Sequence, residues 1–123
     1  MISFNSVSYS FSKEIGVKDV SFEINHDEFA FLIGPTGSGK TTIMRLIYLD
    51  LIPDEGFVTV CGISSNKIKK RKIPMVRRKI GMVFQDYNLL SDRNIFENVA
   101  LPLHMTGVRR DEVRERVMRM LNE

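Results

Sequence analysis

Residues 29–42, FAFLIGPTGSGKTT, run from an unbroken apolar stretch through a glycine-rich loop into the start of an amphipathic segment. A short apolar run that stops at a glycine predicts a fully buried parallel strand. Beyond the loop Ile43, Leu46, Ile47 and Leu51 recur at helical spacing, and the turn residues PDEG at 53–56 close the segment. Between these two elements Gly34, Gly39, Lys40 and Thr41 satisfy G-x-x-x-x-G-K-[ST], in the strand–loop–helix setting that makes the pattern meaningful. Glycines let successive backbone N–H groups turn toward phosphate oxygens, and a helix N-terminus adds the positive end of its dipole. The expected nucleotide cradle is therefore Gly34, Pro35, Thr36, Gly37, Ser38, Gly39, Lys40, Thr41 and Thr42. In it Lys40 is expected to bridge the β and γ phosphates as a point charge, with the Thr41 hydroxyl on Mg²⁺.

The elements around this core are legible from periodicity. Ile2 and Phe4, then Val20, Phe22 and Ile24, alternate as in two half-buried strands of a small antiparallel sheet, with a turn around residues 12–16. Val58 and Val60 suggest a strand ending at Gly62, and residues 80–85, IGMVFQ, a second buried strand. Ser91 is placed to cap a helix carrying Ile95 and Val99 and limited by Pro102. Val113, Val117 and Leu121 mark a further amphipathic helix. The expected class is α/β: a parallel sheet with the phosphate-loop helix, plus a small antiparallel sheet.

Composition narrows the setting. At 123 residues the chain has the size of one domain or part of one, short for most nucleotide-hydrolysing enzymes. Hydrophobic residues at 43% and charged residues at 27% match an ordinary globular protein, and no apolar run approaches the ~20 residues that cross a bilayer. No basic start followed by an apolar stretch marks a secretory signal, so cytoplasmic residence is expected. The lone Cys61 has no disulfide partner and is expected as a small buried residue at a strand end.

The cradle alone does not choose among phosphate chemistries. A guanine reader needs Asn-Lys-x-Asp, and residues 66–69 read NKIK, with lysine where a carboxylate must accept from the base. A generic phosphate-loop kinase or ATPase wants an aspartate after a buried strand, and Asp86 follows residues 80–85. Gln85 intervenes, which turns that carboxylate to the opposite side of an extended strand and leaves this reading second.

Taken in order, residues 3–11 (SFNSVSYSF), 28–42 (EFAFLIGPTGSGKTT), 53–62 (PDEGFVTVCG) and 80–103 (IGMVFQDYNLLSDRNIFENVALPL) resemble the nucleotide-binding subunits of ABC transporters. The wording of the last piece, with RKIPMVRR before it, is most similar to the cell-division branch of that family; the lipoprotein-release and macrolide-export branches are the alternatives. The resemblance implies an ATPase that binds ATP and Mg²⁺, pairs as a homodimer and works with an integral membrane partner, FtsX-like in that branch. Its implied location is the cytoplasmic face of the plasma membrane, with no nucleic-acid partner. It implies that Gln85, 45 residues beyond Lys40, is the family's catalytic-loop glutamine near Mg²⁺ and the attacking water. It also implies an adenine-stacking aromatic, Phe11 or alternatively Tyr9. Catalytic roles then fall to Lys40 and Gln85, and metal ligation to Thr41 and Gln85.

Other parts of that family's machinery have no counterpart here. No Gly-Gly occurs, so the Leu-Ser-Gly-Gly-Gln signature is missing, and residues 90–93, LSDR, do not replace it. The apolar strand ending in Asp-Glu and the switch histidine are missing too; His26 and His104 match neither position. Residues 1–123 thus read as the N-terminal part of one nucleotide-binding domain, with a helical subdomain beginning at about residue 86. Such a piece is expected to bind nucleotide without hydrolysing it. A complete, non-hydrolysing nucleotide-binding module is the competing reading.

Residues 67–79, KIKKRKIPMVRRK, hold eight Lys/Arg and no acid, while elsewhere ten Lys/Arg against fifteen Asp/Glu give −5. The basicity is a local patch, read either as a solvated face or as a contact for anionic lipid headgroups. Met44, Met82 and Met118 lie in apolar patterns and are expected as core fillers.

Overall fold

The alternation of the first segment is realised as β1 (Ile2–Ser12) paired antiparallel with β2 (Ile15–Ile24). The computed structural model describes residues 1–12 and 15–122, in two compact units divided after Gly81, each described by itself. Lys13 and Glu14, within the expected turn at 12–16, lie outside the described residues.

Both strands change phase partway along, and the pairing shows why. Apolar residues sit at Ile2 and Phe4 but then at Val7 and Tyr9, one position out of step. A bulge absorbs the extra residue: Phe4 faces Phe22, yet Val7 faces Val20. A second irregularity, between Val20 and Val17, restores the original register, so Tyr9 faces Val17. Ser6 and Asp19, at these two sites, take positive φ of 44° and 47°. Their freed amides are satisfied by hydroxyls, the Ser6 N–H donating to Ser21 Oγ (2.9 Å) and the Asp19 N–H to Ser8 Oγ (3.1 Å). Because a one-residue slip turns a side chain to the other face, the bulge is what keeps Val7 in the core with Phe4.

β3 (Glu55–Val60) pairs with the other side of β1, and the short β4 (Ile63–Ser64) pairs with β3, giving the all-antiparallel order β2-β1-β3-β4. Gly56 lies opposite the β1 bulge with φ 70°, and a Cβ there would stand 2.2 Å from the carbonyl oxygens of Asn5 and Ser6. Only glycine fits that crossing.

One face of the sheet is covered by α1 (Lys40–Ile47). Ile43 and Leu46 of the helix are buried with Phe4, Val7, Val58 and Val60. The helix ends well before PDEG: the Leu49 N–H donates to Leu46 O and the Asp50 N–H to Arg45 O, with Leu49 left-handed at φ 56°. This is the usual glycine-type C-terminal turn built with leucine, whose strain is offset by near-complete burial of its side chain. Leu51 reaches the same core from beyond the helix.

The basic stretch forms a 3-10 turn, Lys70–Lys72, and α2 (Ile73–Arg77). Pro74 opens α2 rather than breaking it, since the first turn has no intrahelical partner for an N–H. Val76 is buried. Arg77 donates from Nε to Tyr48 O (3.1 Å) and from an Nη to Leu49 O (3.0 Å), with its guanidinium 5.0 Å from the Tyr48 ring centre. It thereby satisfies the carbonyls at the end of α1.

In the second unit α3 (Ile95–Met105) and α4 (Arg110–Asn122) pack around Ala100, Val113 and Val117. The cap of α3 is Asn94, not Ser91: Asn94 Oδ1 accepts from the Glu97 N–H (2.8 Å) while Glu97 Oε2 accepts from the Asn94 N–H (3.0 Å). Pro102 does not end the helix but lies inside it; the helix ends at Met105 and its C-terminal turn closes through Gly107 at φ 78°, where the Val108 N–H reaches Leu103 O and the Gly107 N–H reaches His104 O.

Further expectations need correction. Residues 29–33 and 80–85 form no strand among the described residues, and Phe29, Phe31, Ile33 and Val83 are between 78% and 87% exposed. A buried parallel strand needs neighbours along both edges and cover on both faces, and the described residues supply neither. The expected α/β class stands, with the phosphate-loop helix and the small antiparallel sheet both present and no parallel pairing among the described residues. Cys61 is exposed, because it sits at φ 51° in the turn after β3 rather than in the strand. Met44 and Met118 are exposed, since each lies off the stripe its helix buries, and Met82 is half-buried outside any helix or strand.

Candidate nucleotide-binding site

The glycine loop is shaped by its own backbone. Gly37 and Gly39 take φ of 85° and 89°, a region that side-chain-bearing residues seldom enter. Gly39 also precedes α1 directly, and a Cβ on it would stand 2.6 Å from Val17 Cγ1 of β2, so the loop lies against that strand. The Ser38 N–H donates to Pro35 O at 3.2 Å, closing a turn within the loop.

α1 begins without a side-chain cap and with no acidic residue in its first turn. Its free N–H groups and the positive end of its dipole are thus left for an external anion. Lys40 folds back over the loop, its Nζ donating to Gly34 O and Pro35 O, both at 2.7 Å. An ammonium has three N–H donors, so one remains, with the whole charge. Thr41 and Thr42 part company: Thr41 is exposed and Thr42 is buried, its relative exposure 9%. The accessible hydroxyl next to Lys40 is Thr41's.

These residues fit a magnesium nucleotide. Uncapped amides and a held lysine suit phosphate oxygens, and the Thr41 hydroxyl suits a hard divalent cation. Among the described residues no cluster of three or more His, Cys, Asp or Glu could hold a metal by itself. A cation here would rely on Thr41 together with phosphate and water oxygens, which is how Mg²⁺ is usually held.

Phe11 is 49% exposed, set edge-on to Tyr9 with centroids 4.9 Å apart, and Arg45 stands 5.9 Å from its ring centre. Tyr9 is half-buried and, with Gly16, Val17 and Asp54, lines an open cavity of about 390 Å³. Val17 of that lining is the residue against Gly39, so the cavity borders the loop within the first unit. Gln85 belongs to the second unit, exposed in a turn where the Tyr87 N–H donates to Phe84 O and Tyr87 and Asn88 take positive φ. The first unit thus brings the nine loop residues and Phe11 into one body, without Gln85.

Sequence reading missed Val17 and Arg77. Val17 carried only the signal of an apolar residue in a strand, and Arg77 was hidden among seven other cations.

Comparison with known proteins gives the setting. A family model described as "ABC transporter" matches residues 17–123. The chain is 39% identical over 106 residues to the cell division ATP-binding protein FtsE of Streptococcus pneumoniae, covering 86% of this chain and 46% of that protein. It is 38% identical to FtsE of Escherichia coli K12, covering all of this chain and 56% of that protein. The methionine import ATP-binding protein MetN of Vibrio vulnificus is 38% identical over 118 residues, 95% of this chain and 34% of that protein. The chain therefore spans about half the length of its FtsE relatives. Among solved structures, a dimeric post-hydrolysis state of the ATP-binding cassette MJ0796, bound to ADP and Pi, matches with a TM-score of 0.84 and 34% identity, covering 99% of this chain and 56% of that one.

Proposed function

Since the chain belongs to the ABC transporter family, we propose that it is the nucleotide-holding part of an FtsE-like ATP-binding subunit, one that couples ATP binding and hydrolysis to an integral membrane partner in bacterial cell division. The observation that carries the nucleotide part is the pairing of an uncapped α1 with Lys40, already held across the loop by two carbonyls. When bound, Mg²⁺ would supply charge neutralisation at the phosphates. The chain's own residues do the positioning: the loop amides and Lys40 fix the phosphates, and the Thr41 hydroxyl sets the cation beside them. Phe11 or Tyr9, both near the loop-bordering cavity, would offer a ring to the base. Gln85 is proposed to reach the γ phosphate's surroundings and position water in the assembled domain.

Without a Leu-Ser-Gly-Gly-Gln stretch or an Asp-Glu-ended strand, residues 1–123 are proposed to bind nucleotide and not turn it over. Hydrolysis in such sites depends on placed water and electrostatic stabilisation, which these residues only partly provide. The full-length protein is proposed to act as a homodimer, as the dimeric cassette relative supports, at the inner face of the membrane.

Equilibrium binding of a fluorescent ATP analogue to the 123-residue chain tests the core of this reading. Micromolar binding that falls at least tenfold in Lys40→Ala supports it; binding indifferent to Lys40 would sink it. Phosphate release by the same chain, abolished in Lys40→Ala, would overturn its proposed inertness. A methionine-import role is the second reading, favoured by the match to MetN. Deletion in the source organism separates the two, through filamentous undivided cells in the first case and lost methionine uptake in the second.

A further inference from the structure

Residues 67–79 contain eight Lys/Arg and no acid, and their remaining residues are isoleucine, proline, methionine and valine only. The segment is anchored: Val76 is 1% exposed, and Arg77 is spent on the carbonyls of Tyr48 and Leu49 and lies 3.7 Å from Asp50. It is therefore a fixed platform of a 3-10 turn and α2, unlike a loose basic tail.

The other seven cations are exposed and make no ion pair among the described residues. Between them in the chain Met75 is 62% exposed and Pro74 is exposed as well, so the segment presents apolar groups flanked in sequence by positive charge. We propose that this platform docks onto an anionic phospholipid surface, with the lysines and arginines on the headgroups and Met75 entering the boundary of the acyl region.

The chemistry favours lipid over nucleic acid. Lysines and arginines alone would serve a nucleic-acid backbone as well, but the segment has no aromatic ring to stack on bases, and exposed Met75 and Pro74 have no role on a phosphate backbone. Cations interleaved with exposed aliphatic groups are the composition of an interfacial lipid contact. The net charge of −5 on the rest of the chain works against indiscriminate binding to polyanions, which confines the contact to this segment.

The inference stands apart from the nucleotide reading, because no residue of the glycine loop takes part. Its test is flotation of the full-length protein, purified without its membrane partner, with vesicles of phosphatidylcholine alone or containing phosphatidylglycerol. Binding is expected only to the anionic vesicles, weakening as salt is raised. Each cation neutralised is expected to lower partitioning about fivefold, so Lys69→Gln with Lys72→Gln should remove most of it. Met75→Ser is expected to weaken vesicle binding severalfold and to leave retention on a sulfonate cation-exchange resin unchanged. Lys40→Ala should float like the unaltered protein even if it no longer binds nucleotide. Equal binding to neutral vesicles, no binding to either kind, or indifference to the double substitution would overturn the proposal. So would tighter binding to duplex DNA that ignores Met75, which would assign the platform to nucleic acid. Unchanged far-ultraviolet circular dichroism of each variant keeps a loss of binding from being a loss of fold.

Discussion

Two cations do structural work that their neighbours in the sequence do not share. Lys40 bonds two loop carbonyls at 2.7 Å, and Arg77 bonds two carbonyls at the end of α1, where a guanidinium also meets the negative end of the helix dipole. Replacing Arg77 with methionine keeps much of the stem and leaves Tyr48 O and Leu49 O without those donors. The expected loss is about 1–3 kcal/mol, read as a lower urea midpoint, whereas the same change at exposed Arg78 should be near neutral. Gly56→Ala should cost more, about 3 kcal/mol or above, because a Cβ would meet two carbonyl oxygens at 2.2 Å in a backbone already at φ 70°. A wild-type urea midpoint in Gly56→Ala would mean that the bulge of β1 relaxes at little cost. Neither residue announces its role in the sequence: one is a cation within a run of cations, the other a glycine in a turn-like PDEG.

At the level of elements, legibility followed locality. α4 could be read from Val113 and Val117 because both its spacing and its Glu112–Arg116 and Glu115–Arg119 pairs lie within the helix itself. β1 and β2 were legible from alternation, though their bulges show only as slips of phase at residues 4–7 and 17–20. The start of α3 was misread by three residues, since Ser91 and Asn94 are both competent caps and the choice rests on which has a glutamate at the third helical position. Asn94 has Glu97 there, so the reciprocal box forms. Asn94→Ala is expected to lower stability by about 1 kcal/mol and Ser91→Ala by a few tenths at most, measured by thermal melts of the two variants side by side. Equal effects would place the cap elsewhere. Pro102 misled for a related reason: the tail of α3 is fixed by Thr106 and Gly107, with the Thr106 hydroxyl donating to Pro102 O, and a proline four residues before Thr106 is carried along.

Over the molecule as a whole, the glycine loop was fully legible because its motif is local, and the strand before it was not, because a buried strand is defined by neighbours remote in sequence. Residues 29–33 have the composition of a central strand and yet Phe29 and Ile33 are 84% and 87% exposed. An apolar run of this kind, lacking sheet partners, is an association-prone surface. The 123-residue chain is therefore expected to self-associate with rising concentration, and Phe31→Lys should raise the concentration at which light scattering appears. Cassette relatives are about twice as long as this chain, with the same fold over the shared part. If further strands cover residues 29–33 in the full-length protein, Phe31→Lys must change sign there. It would place a charge between two covered faces and destabilise by several kcal/mol, with loss of nucleotide binding, since the same run sets the first glycine of the loop. A substitution that improves the short chain and unfolds the long one is a signature that neither a solvent-facing loop nor a general solubility effect can produce. Improvement in both would show that residues 29–33 remain a surface segment in the complete domain.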